Sequence, residues 1–161
     1  MELFSLLVLM PLLVKAWNSA MENDRLDQGD MILSPEQKLA MKGIPTFNAI
    51  GSDYLWSKEI PYDFDQKIGS SDKAKKAIQA AIDDYEKYTC LRFVPRTNEN
   101  KYLHFYQGSG CSSPVGPTGG RNRISLAETC WSKASVLHEI GHSLGETRSL
   151  TYFFCVYVHQ G

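Results

Sequence analysis

The stretch Val136-Leu137-His138-Glu139-Ile140-Gly141-His142-Ser143-Leu144-Gly145 decides how the rest of this chain is read. One α-helical turn brings residues i and i+4 onto the same face. His138 and His142 therefore offer two imidazole nitrogens to a single metal ion, each at roughly 2.0–2.1 Å. Glu139 follows the first ligand and stands where a carboxylate can take the proton of a water attacking a carbonyl. On a helix this pattern points to a zinc hydrolase site. The local signals agree: Ser132 is a plausible N-cap, Val136, Leu137, Ile140 and Leu144 form an apolar stripe, and Gly145 is a helix stop. The chain has four histidines, at 104, 138, 142 and 159, so chance is a poor explanation for two at this spacing around a Glu.

Upstream of the motif, Arg123-Ile124-Ser125-Leu126 reads as a short strand, preceded by a Gly/Pro-rich loop from 108 to 122. Tyr102-Leu103-His104-Phe105-Tyr106 and Leu91-Arg92-Phe93-Val94 read as further strands, with His104 structural rather than a ligand. Ser71 caps a helix running to about Thr89, whose inner stripe is Ala74, Ala77, Ile78, Ala81, Ile82 and Tyr85. Tyr54-Leu55-Trp56 and Ile60-Pro61-Tyr62-Asp63-Phe64 alternate as strands do. The sum is an α+β layer in which a sheet and two helices share one core.

Residues 17–47 are polar and mixed; Ser34-Pro35 can open a short helix there, with Ser34 as N-cap. Asp30 follows Gly29 in a turn, where most such carboxylates are merely solvated. Leu3 to Val14 is an apolar run, too short for a bilayer, that fits a signal-peptide core. A secreted protein is expected, which permits disulfides among Cys90, Cys111, Cys130 and Cys155. Cys111 and Cys130 bracket a segment that a disulfide can staple, but spacing alone does not fix connectivity. A formal net charge of -1 with 22% charged residues gives no argument for nucleic acid or an anionic membrane.

Several blocks in order resemble the astacin family of zinc metalloendopeptidases, within the metzincins. They are Asn48-Ala49-Ile50, Tyr54-Leu55-Trp56 with Ile60-Pro61-Tyr62, Thr89-Cys90-Leu91-Arg92-Phe93-Val94-Pro95-Arg96-Thr97-Asn98, Gly110-Cys111-Ser112-Ser113 with Val115-Gly116, Ser125-Leu126 before Cys130, and His138 to Gly145. The resemblance implies a zincin-like upper subdomain: a twisted mixed sheet, a backing helix and the zinc-motif helix. It implies one Zn2+ per chain held by His138 and His142, Glu139 as general base, and a protein or peptide substrate. It also implies a zymogen in which Asp30 of Gln28-Gly29-Asp30 binds zinc in the latent form, and a Cys111–Cys130 disulfide. A second disulfide from Cys90 to a more C-terminal cysteine is implied too. Cys155 can pair with Cys90 or leave both as thiols. The corresponding division is a signal peptide at 1–16, a pro-segment at 17–47, the N-terminal half of a catalytic domain at 48–145 and a divergent tail at 146–161. For activation, Phe47 stands where the family often has a basic residue before Asn48, and Lys42 is the nearest upstream alternative.

The sequence departs from the family after Gly145. Arg148 stands where the third histidine belongs, ten residues after His138, and Ser149 where a Glu follows it. The lower subdomain has no counterpart in the sequence. Three groups can replace the third ligand: Asp30; Glu146, if Gly145 bends the chain back; and His159, which nothing constrains. A catalytic zinc normally has three protein ligands, so the protein from residue 48 onward is expected to show little or no peptidase activity. The alternative expectation is a non-catalytic secreted fragment that binds peptides or family members.

Overall fold

The computed structural model describes residues 26–43 and 55–146. In chain order the elements are β1 (Met31–Ile32), α1 (Pro35–Met41), β2 (Glu59–Phe64), α2 (Gln66–Ser70), α3 (Asp72–Tyr88), β3 (Arg92–Pro95), β4 (Tyr102–Tyr106), β5 (Ser113–Pro114), β6 (Arg121–Ser125), a 3-10 turn (Glu128–Cys130) and α4 (Lys133–Leu144). The signal-peptide expectation, Asn48, Arg148, Ser149, Cys155 and His159 lie outside the described residues.

The main sheet has the order β3-β2-β4-β6, and every ladder in it is parallel. Its expected mixed character is confined to one antiparallel bridge, Ser112 to Ser125, at the β6 edge. The β2-to-β3 connection carries α2 and α3, the helical crossover that parallel neighbours need. Register puts Ile60, Phe93, Leu103, Phe105 and Ile124 on one face, all buried. Onto that face pack Ala74, Ile78, Ala81 and Ile82 of α3 and Val136 and Ile140 of α4. The opposite face carries Asp63, His104 and Arg123 in register. There His104 Nδ1 meets Asp63 Oδ1 at 2.5 Å and its ring is stacked near Tyr106, so the histidine serves the sheet surface.

The helix ends follow from local chemistry. Ser71 Oγ accepts from Ala74 N–H at 3.3 Å to open α3, and Asp65 Oδ1 accepts from Ile68 N–H at 2.7 Å to open α2. All six residues of the α3 stripe read from periodicity are buried. The strand expected over Leu55-Trp56 does not form; β2 starts at Glu59. Trp56 instead donates its indole Nε1–H to the carbonyl of Ser143 at 2.7 Å, at the C-terminal end of α4.

Segment 26–43 docks along the β5 edge, beside α4. Its β1 pairs parallel with β5, Met31 opposite Ser113 and Ile32 opposite Pro114. Met31 and Leu33 bury themselves with Val115 in a small separate core. These two-residue strands, α2 and the 3-10 turn carry too little pattern to be read from sequence.

Candidate metal centre

α4 is set rigidly before any ligand is considered. Ser132 Oγ accepts from Ser135 N–H at 3.2 Å at its start. At its end Gly145 is left-handed (φ 113), and the N–H groups of Gly145 and Glu146 return to His142 and Gly141 at 2.8 and 3.0 Å. This pair of bonds satisfies carbonyls that a helix end otherwise leaves open. Tyr85 of α3 donates its hydroxyl to the Leu137 carbonyl at 3.0 Å. The crossing is tight at Gly141: an added Cβ there would stand 3.0 Å from Glu146 Oε2 and 3.2 Å from the Tyr85 hydroxyl, so these side chains would have to give by a few tenths of an ångström. From the other side Gly116 N–H donates to the His142 carbonyl at 2.8 Å, and the hydroxyls of Ser113 and Ser143 share a buried hydrogen bond of 2.6 Å.

On this helix His138 and His142 bring their Nε2 atoms to 3.0 Å, with ring centroids 4.5 Å apart. His142 Nδ1–H donates to the carbonyl of Glu146 at 2.7 Å. That bond assigns the proton to Nδ1 and leaves the Nε2 lone pair for a metal, the usual way a ligating imidazole is oriented.

Asp30 closes the group. A tight turn presents it: Gln28 and Gly29 have φ of 53 and 93, and Asp27 and Met31 exchange backbone hydrogen bonds of 3.2 and 3.0 Å. Asp30 Oδ2 lies 2.6 Å from His138 Nε2 and Oδ1 lies 3.5 Å from His142 Nε2. Unlike most carboxylates that follow a glycine in a turn, Asp30 is buried, 8% exposed. Burial works to raise its pKa, but hydrogen bonds and charge from both imidazoles outweigh it and hold Asp30 at about 2. Reciprocally, burial works to lower His142, and the Asp30 contact and the Glu146 carbonyl outweigh that and raise it.

Glu139 lies wholly inside, and neither carboxylate oxygen has a hydrogen-bond partner among the described residues. Burial, then the charge of Asp30, push it up to about 9. An unpartnered buried carboxyl costs several kcal/mol by analogy with other buried polar groups, so it marks a place built for chemistry or for a cation. The donor set fits zinc. The ligand atoms of Asp30, His138 and His142 all lie within 4.8 Å of one another. Tetrahedral ligands at zinc distances stand roughly 3.3 Å apart.

Of the residues singled out from sequence, Asp30, His138 and His142 come together, with Glu139 on the same helix. Glu146 does not join them as a ligand. Gly145 turns the chain so that the Glu146 backbone carbonyl holds the His142 ring, while its carboxylate lies beside Gly141. Cys111 and Cys130 are joined by a disulfide, with Cα atoms 6.1 Å apart. Sequence reading missed the Ser113–Ser143 pair and the Trp56 anchor. No short-range signal marks a contact that spans 30 or 87 positions.

The model of the Astacin peptidase family matches residues 49–148. Zinc metalloproteinase nas-30 of Caenorhabditis elegans is 37% identical over 139 residues, 80% of this chain and 18% of that protein. Zinc metalloproteinase nas-6 of the same organism is 35% identical over 127 residues, 77% of this chain and 36% of that protein. Among solved structures, high choriolytic enzyme 1, a hatching enzyme zinc-protease from Oryzias latipes, superposes with a TM-score of 0.56 at 28% identity, covering 63% of this chain and 54% of that one. The chain thus spans 18% and 36% of the length of the two curated relatives.

Proposed function

This chain belongs to the astacin family of peptidases, and from that premise we propose that it is the zinc-binding part of a secreted metalloendopeptidase, held in a latent state by Asp30. One observation carries the reading: Asp30, His138 and His142 converge on one point beside the buried, unpartnered carboxylate of Glu139. His138 and His142 hold one zinc through Nε2, and Asp30 supplies an oxygen ligand while segment 26–43 is docked. Zinc bound there supplies Lewis acidity toward a peptide carbonyl. Glu139 holds or takes a proton at its carboxylate. Its burial shields it from bulk water, and a cation held beside it would favour the charged, proton-accepting carboxylate.

Residues 1–16 are proposed as a leader and 17–47 as a pro-segment. The Cys111–Cys130 disulfide supports an oxidising compartment. Among the described residues no helix is long and apolar enough to cross a membrane. The substrate class is protein or peptide, which the likeness to two zinc metalloproteinases and a hatching enzyme zinc-protease supports.

A second reading has its own observation. Arg148 occupies the sequence position of a third histidine, and the described residues place two imidazoles at the site. Loss of even an outer-shell partner costs about 10–100-fold in affinity or activity, so cleavage after Asp30 departs is expected to be weak or absent, leaving a peptide-binding protein. Zinc content and casein hydrolysis of the Asp30→Ala chain, in which the blocking carboxylate is gone, with Glu139→Gln added as control, decide. Zinc-dependent cleavage lost in the control establishes the peptidase. Peptide binding without cleavage establishes the binder, and absence of zinc contradicts the peptidase.

A further inference from the structure

Gln37 bonds in two directions at once. Its Oε1 accepts the backbone N–H of Ser34 at 2.8 Å, completing the capping box of α1, and its Nε2 donates to the carbonyl of Val115 at 2.8 Å. The other bonds from segment 26–43 to this edge are main-chain: Ser113 N–H to the Asp30 carbonyl at 3.1 Å and Val115 N–H to the Ile32 carbonyl at 3.3 Å. Apart from Asp30 on the imidazoles, Gln37 thus supplies the side-chain hydrogen bond that joins this segment to the body among the described residues. Its place matters because α1 buries no residue at all and leaves Leu39 and Met41 exposed. With no apolar anchor, this helix has little besides Gln37 to fix it.

We propose that Gln37 is a second latch on segment 26–43, separate from the metal ligands, that sets how long Asp30 stays on the histidines. The inference rests on reading that segment as the latent-form blocker. The cap holds the amide in one orientation, so Nε2 meets Val115 with little further loss of rotamer freedom. While it holds, β1 is secured at both ends and Asp30 is kept at high effective concentration beside His138 and His142. When it opens, β1 is left with two pairs of strand residues, the buried Met31 and Leu33, and one carboxylate.

Gln37→Glu in the full chain tests this, because glutamate keeps the oxygen that caps Ser34 but has no N–H for Val115. A net hydrogen bond of about 1 kcal/mol corresponds to roughly fivefold in an opening equilibrium. Amide hydrogen exchange at Ser113 and Val115 is therefore expected to quicken roughly fivefold or more, with the α1 amides unchanged. Gln37→Ala, which removes both bonds, is expected to quicken both groups of amides. Exchange at Ser113 and Val115 that stays at the wild-type rate in Gln37→Glu overturns the latch. Asp30→Asn separates the two ideas. If it quickens exchange and alters the visible spectrum of the cobalt-loaded chain while Gln37→Glu does neither, the blocker stands and the latch falls. If Asp30→Asn also changes neither, the blocker reading falls with it.

Discussion

The body from β2 to α4 and the segment 26–43 are both ordered, but different forces hold them. The body buries eighteen residues in one contiguous core, from Ile60 to Ile140. The segment contributes Met31 and Leu33 to a second cluster completed by Val115 of the body. Each fully buried aliphatic side chain is worth roughly 1.5–3 kcal/mol, so the body has an apolar anchor many times larger. Besides those two side chains, the segment is held by polar contacts: a carboxylate on two imidazoles, main-chain bonds to β5 and one amide. Such contacts are individually modest and open one after another, which suits a part that must leave. The metal helix belongs to the body and does not depend on the segment for its placement.

Substitutions in each region sharpen or break that contrast. The largest effect is expected from Phe105→Ala, which empties a site with no exposure between the sheet and the helices. A loss of about 3–5 kcal/mol should appear as a lower denaturant midpoint for the whole chain. Asp30→Ala comes next. It removes about 2 kcal/mol or more of docking, by analogy with hydrogen bonds to charged groups. Limited proteolysis should then cut within 26–43 while the body's own unfolding midpoint stays put. A body that unfolds with the segment would dissolve the distinction. Ser143→Ala deprives the Ser113 hydroxyl of its 2.6 Å partner, although Ser113 can still reach the Pro114 carbonyl. About 1 kcal/mol is expected, read as faster exchange in β5 and the last turn of α4. Ser34→Ala removes the α1 cap for a similar amount, about 1 kcal/mol, but its effect should stay inside α1. Smallest is Lys38→Ala. The ion pair with Asp27 spans 3.1 Å with the two side chains 50% and 35% exposed, and such pairs contribute about 0–1 kcal/mol.

The same contrast explains what could be read from the chain alone. The α3 stripe, β4 and the limits of α4 are written in local periodicity and in Ser71, Ser132 and Gly145, and the structure repeats them. The imidazole pair needed only one helical turn. Asp30 was legible through family resemblance, because a carboxylate after a glycine gives no local sign of being buried 108 positions from its partner. Trp56 carries a strand's pattern, yet its indole is used to hold a helix terminus. Glu146 could be placed only after the left-handed Gly145 was seen to fold the chain back. Contacts between distant short elements are tertiary facts, and β1 with β5 is one of them.

The most direct measurement is the zinc content of the purified chain by elemental analysis after exhaustive dialysis, wild type beside His138→Ala and His142→Ala. One zinc per wild-type chain, lost from both variants, is the expected result. A wild type without zinc, or variants that keep the wild-type amount, would contradict the assignment of these two imidazoles as its ligands.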